Sequence, residues 1–183
     1  MSKAILLSIK PKYVAKILNG EKTIEIRKTM PKCDLPIDVY IYCTKEKHLM
    51  RKGEKEWLIK DKNFVYEDAN YYAGFNGKVV AKFTVRKVEE IVRYDGEFYT
   101  STYEENEICQ NACLSLKEIH RYLINKEIGY AYHIEDLVIF DRPKELADFW
   151  HYKGGNLGLP NANTRLVSNI TKAPQNYCFV KVD

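Results

Sequence analysis

The chain lacks any run of about 18 apolar residues, the length a membrane-spanning helix needs. Its first apolar stretch, Ala4 to Leu7, is too short for a signal peptide, and Lys10 and Lys12 follow at once. Cysteine is scarce: five residues, an odd number without a secretion signal, so free thiols in a reducing cytoplasm are expected rather than a disulfide framework. Cys109 and Cys113 are spaced like metal ligands and His120 follows, but no further ligand recurs nearby. No metal site and no cofactor are therefore expected. No P-loop, nucleophile elbow or dinucleotide-binding signature occurs. Charge of one sign is also missing. Lys and Arg number 29 against 25 Asp and Glu, a net +4 that permits an anionic partner without requiring one.

What is present is an ordinary globular composition, 45% hydrophobic and 30% charged, which excludes a disordered or collagen-like chain. At 183 residues, and about 150 per domain, residues 1–183 are expected to form one domain. The unusual count is 14 tyrosines. Their flat rings with polar tips suit strand faces and suit stacking on bases equally well.

Hydrophobic periodicity divides the chain into strands with a few helices. Residues 4–9 predict a buried strand, and Pro11 opens a helix that Asn19-Gly20 closes. Residues 23–27 alternate, with Ile24 and Ile26 on one face and Thr23, Glu25 and Arg27 on the other. Residues 38–44 place Val39, Ile41 and Cys43 opposite a polar face of Tyr40, Tyr42 and Thr44. Further strands are predicted over 78–88, 90–94, 134–140 and 177–182. Ser115 and Glu118 form a capping box for a helix carrying Leu116, Ile119, Leu123 and Ile124 inward, and Gly129 ends it. Pro143 is expected to start a helix with Leu146, Ala147, Phe149 and Trp150. Two segments stand apart: an excursion at about 45–76, basic through Lys45, Lys47, Arg51, Lys52, Lys55 and Lys60, and a Gly- and Asn-rich loop at about 153–170. Strands and helices do not alternate regularly, so the expected class is α+β: a small mixed, mostly antiparallel β-barrel with peripheral helices.

One segment carries more. Leu7-Ser8-Ile9-Lys10-Pro11 leads through Ile17-Leu18-Asn19-Gly20 to Glu21-Lys22-Thr23-Ile24-Glu25-Ile26-Arg27-Lys28. Gly20, Lys22, Glu25 and Arg27 spell Gly-x-Lys-x-x-Glu-x-Arg just after a helix. This resembles the ASCH domain family of the PUA-like superfamily, in a phage-type or bacterial subgroup. Tyr42-Cys43-Thr44, Gly77 to Ala81, Gly129 to Ile134, Asp141 to Leu146 and Ala173 to Cys178 extend the resemblance over most of the chain. It implies a PUA-like barrel with a cleft for RNA or a modified nucleoside. Some relatives resemble amidohydrolases acting on N4-acylated cytidine, with a Lys, a Thr three residues later and a separate Glu. Lys22 matches that Lys, but Glu25 stands at the Thr position and Thr23 has the wrong spacing.

Glu25 and Arg27 project to one strand face, and Lys22 lies in the turn before them. Lys and Arg can take phosphate or carbonyl oxygens, and Glu can accept from an exocyclic amine. The bland alternative is a solvent-facing ion pair worth under about 1 kcal/mol. Both readings leave Lys22→Ala and Glu25→Gln close to native stability. Lys10, Tyr42, Thr44 and His133 are the other expected ligand-binding residues, with the excursion meeting an RNA backbone. The principal reading is a binding module for RNA or a nucleoside. The alternatives are an enzyme on the same ligand, an amidohydrolase or ribonuclease using Lys22, and a protein-interaction domain.

Overall fold

The computed structural model describes residues 3–45, 75–153 and 165–181. Residues 46–74 of the excursion lie outside them, as does 154–164 of the later loop. Strand β1 (Lys3–Ile9) is apolar on both faces because both are covered: Ile5, Leu7 and Ile9 enter one core cluster, Ala4 and Leu6 another. It pairs in parallel with β3 (Ile37–Cys43) and antiparallel with β11 (Tyr177–Lys181). Between β1 and β3 lie α1 (Pro11–Leu18), with Pro11 in its first turn, and β2 (Ile24–Arg27). Gly20, at φ +72°, ends the helix in the left-handed conformation that glycine adopts without cost.

The other strands are β4 (Val79–Val85), β5 (Val88–Tyr94), β6 (Glu97–Tyr99), β7 (Ile128–His133), β8 (Glu135–Lys144), β9 (Trp150–Lys153) and β10 (Arg165–Asn169). They form two sheets, of order β10-β9-β11-β1-β3-β4-β8 and β2-β7-β5-β6. Helices α2 (Glu105–Ala112) and α3 (Leu116–Tyr122) cover the smaller sheet, burying Ile24, Ile26, Ile91, Phe98, Ile108 and Ile119. Among the described residues no helix is long and apolar enough to cross a membrane, and no disulfide joins the five cysteines.

The α+β class holds, and both sheets are mostly antiparallel. The single barrel does not hold: among the described residues neither sheet closes, and β2 lies in the smaller sheet while β3, β4, β8 and β11 share the larger. The long strand expected over 78–88 ends at Val85; after the break at Arg86-Lys87 its last residue, Val88, opens β5 in the other sheet. Pro143 opens no helix. It lies in β8, an edge strand, where a missing N–H costs no ladder bond, and only a 3-10 turn, Leu146–Asp148, follows. Strand β10 occupies part of the expected loop. The Tyr40 and Tyr42 face of β3 is not polar but buried, with Phe149 packed edge-on to Tyr40 at 5.1 Å between ring centres. On α3 Ile119 is buried and Leu116 exposed; in the turn that follows, Leu123 is buried and Ile124 exposed.

Candidate functional site

The turn after α1 is fixed by its backbone. Glu21 N–H and Lys22 N–H both donate to the Lys16 carbonyl, which sends the Lys22 side chain inward out of strand parity. Lys22 is 2% exposed, Glu25 8% and Arg27 7%. Lys22 Nζ donates to the Ala112 carbonyl at 2.7 Å, at the electronegative end of α2, and lies 3.1 Å from Glu25 Oε2. It also stands 5.6 Å from the Tyr13 ring centre, within cation–π range. Arg27 Nη2 donates to the Ser8 carbonyl at 2.7 Å and Nη1 to Asn176 Oδ1 at 3.4 Å. Arg27 Nε is 3.1 Å from Glu25 Oε1 but is not aimed at it, so this buried donor makes no hydrogen bond. Two cations share one carboxylate, leaving the triad at a formal +1 with a donor unused.

The triad forms the inner wall of a cleft of about 1150 Å³. Lys10, Tyr42 and Thr44 line the same cleft, so six of the seven expected ligand-binding residues converge. Seven Lys and Arg face it against Glu25 and Glu118, a formal +5. The whole chain carries +4, so the residues outside the cleft lining sum to a formal −1. Residues not anticipated from sequence complete the walls. Asn176 bridges Arg27 and Thr29, its Nδ2 donating to Thr29 Oγ1 at 2.8 Å, while Ser8 Oγ donates to the Pro174 carbonyl at 2.7 Å. Tyr13 Oη donates to Glu118 Oε1 at 3.1 Å, and burial raises its phenol pKa. On the same sheet face as Glu25, its cross-strand neighbour Tyr132 donates to the Thr29 carbonyl at 2.6 Å; its burial raises its pKa strongly. The signal for Asn176 was present in the Ala173 to Cys178 segment, but only β11 pairing beside β1 reveals what it touches.

His133 lies elsewhere. It is paired with Ile24, on the sheet face turned away from Glu25 and Arg27. Its Nε2 is 2.5 Å from Glu89 Oε2, and its ring stacks on Tyr103 at 5.8 Å. Lys87 Nζ lies 3.3 Å from the same carboxylate, and Ser101 Oγ donates to its other oxygen. Burial opposes the Glu89 charge, yet hydrogen bonds from Ser101, Thr102, His133 and Lys87 outweigh it and hold the carboxyl at about 2. Glu118 is also held at about 2, by the Ser115 N–H above all, with help from the Ser115 hydroxyl and Lys12. These lowered values contribute stability above pH 4.5 that disappears as pH falls toward 2. Glu89→Gln is therefore expected to flatten, without abolishing, the acid limb of the melting temperature between about pH 4.5 and pH 2. An acid limb as steep as wild type would show that Glu89 is not linked to folding.

Among the described residues no three His, Cys, Asp or Glu side chains converge to hold a metal. Cys113 Sγ instead donates to the Gln110 carbonyl at 3.6 Å, and His120 packs on Phe98 at 4.7 Å between ring centres.

Fold and cleft define a two-sheet α+β protein with a charged motif at the end of its first helix. The chain belongs to the ASCH domain family, which matches residues 7–137. A crystal structure of an ASCH protein from Zymomonas mobilis superposes with a TM-score of 0.56 at 16% identity, covering 97% of this chain and 87% of that one. Crystal structures of two point variants of the Zymomonas mobilis protein give 0.48 and 0.49 at 15% identity, covering 97% of this chain and 90% and 88% of theirs. No curated protein sequence matches the chain.

Proposed function

We propose that the cleft binds RNA or a nucleoside derived from it, within a PUA-like layout in which the two sheets and α1 frame the ligand. The observation that carries this reading is the concentration of a formal +5 along the lining of one cleft. A buried, net-positive group of donors suits a phosphate or carbonyl oxygen, which is both charge partner and acceptor. Glu25 keeps unused lone pairs for an exocyclic amine at the same point. Tyr13 and Tyr122, both half-buried, supply flat surfaces along the walls.

The geometry supports binding over acyl transfer. At the position where the hydrolase pattern has Thr stands Glu25, and the Thr23 hydroxyl donates to Asn111 Oδ1 at 2.7 Å, away from the triad. Titration of the protein with nucleosides, nucleoside 5′-monophosphates and short RNAs at fixed salt tests the reading, with product analysis of each mixture. Saturable binding without turnover is expected. Turnover abolished by Lys22→Met would replace binding with catalysis, and no binding at millimolar ligand would overturn the reading.

A further inference from the structure

A second cavity, of about 650 Å³, opens between the end of α3 and strand β5. Arg93, His120, Ile124 and Lys126 are among its lining. Arg121 and Lys126 line this cavity and the cleft alike, so the two meet at the 121–127 turn. The turn is well defined: Asn125 takes a left-handed φ of +62°, and Lys126 N–H donates to the Leu123 carbonyl at 2.9 Å.

Basic residues in a last helical turn have an ordinary explanation, since they complement the helix dipole. That accounts for His120 and Arg121. It does not account for Arg93, which comes from β5, or for Lys126, which lies beyond the helix. Nor does it account for Ile124, 62% exposed among these cations. Against Arg93, Arg121 and Lys126 the cavity sets one acid, Glu127. His120, on Phe98, adds a flat ring. Cationic groups interleaved with aromatic and apolar surface are what a single strand requires: charge for the phosphates and platforms for the bases. The cleft alone already exceeds the roughly 300–1,000 Å³ that encloses a small-molecule ligand.

We propose that this second cavity receives the continuation of a single-stranded nucleic acid whose first nucleotide sits in the cleft, so that the protein takes an oligonucleotide rather than a lone nucleoside. The proposal rests on the cleft reading above and adds a direction: from the Lys22–Glu25–Arg27 triad, past Arg121 and Lys126, to Arg93. Each added phosphate interaction raises affinity at low salt and steepens the salt dependence by about 0.7 in log–log slope.

The test compares uridine 5′-monophosphate with a nine-residue oligouridylate, on wild type and on Arg93→Glu. Arg93 is exposed and lies outside the cleft lining, so the variant is expected to melt as wild type does. In wild type the oligomer is expected to bind at least tenfold tighter than the monophosphate. Arg93→Glu removes most of that gain and leaves the monophosphate unchanged, while Arg93→Lys keeps the gain. Equal affinity for the two ligands, or a gain that survives Arg93→Glu, overturns the proposal and leaves the cleft reading standing. Failure of both ligands to bind overturns the cleft reading, and this one with it.

Discussion

Glu25→Ala is expected to destabilise the protein by about 3–5 kcal/mol, because it strands two buried cations that shared its carboxylate. For a chain of this size that lowers the melting temperature by about 6–20 °C. The expectation differs sharply from that for a solvent-facing ion pair, whose loss costs under about 1 kcal/mol. The difference arises from the roof over the β2 face: Lys22 reaches α2, Arg27 reaches Ser8, and Asn176 closes the side. Lys22→Met combined with Glu25→Gln should recover part of the loss, since it removes one stranded cation and leaves Arg27 bonded to the Ser8 carbonyl. A thermal melt of Glu25→Ala within about 2 °C of wild type would mean that water reaches Lys22 and Arg27 freely, and the buried triad would have to be abandoned.

Removal of Lys10 and Lys28 together is expected to weaken RNA binding by about a hundredfold, at about 1.5 kcal/mol for each charged hydrogen bond to the ligand. Both line the cleft, Lys10 exposed and Lys28 lying 5.1 Å from the Tyr122 ring centre. Neither belongs to the buried triad, so the double alanine variant should fold normally. Its plot of log affinity against log salt should be shallower by about 1.4, at about 0.7 for each phosphate neutralised on a single strand. A parallel plot with unchanged slope would show that the ligand meets these lysines without a phosphate, and would favour an uncharged nucleoside.

The sequence made some of this visible for identifiable reasons. Period 2 over residues 23–27 placed Glu25 and Arg27 on one face, and Gly20 with Lys22 marked the turn that brings the ammonium to them. Burial was hidden, because Ser8 lies on β1, Ala112 on α2 and Asn176 just before β11, and no local pattern announces a roof made from a distance. Helix α2 escaped notice because only Ile108 and Ala112 among its eight residues are buried; its start is marked by Glu104 and Glu107, a capping box without Ser or Thr at its head. His133 looked like a cleft residue from its place beside Tyr132, yet adjacent residues on a strand face opposite ways, and His133 follows Ile24 rather than Glu25. Pro143 suggested a helix start, but the sheet edge on which it lies is a property of topology and not of the surrounding residues.

The pairing of β1 with β11 has a consequence for how the protein comes into being on the ribosome. Five residues of β1, Lys3 to Leu7, pair with Lys181 to Tyr177, across nearly the full length of the described chain. While translation has supplied only residues up to β10, one edge of β1 is bare and Arg27 has no Asn176 to hold. The nascent chain can settle its smaller sheet with α2 and α3 early, but the cleft gains its last wall only when β11 emerges. A partner that recognises the finished cleft therefore cannot engage a chain still missing those residues, and until then the unpaired β1 edge is open to misassociation.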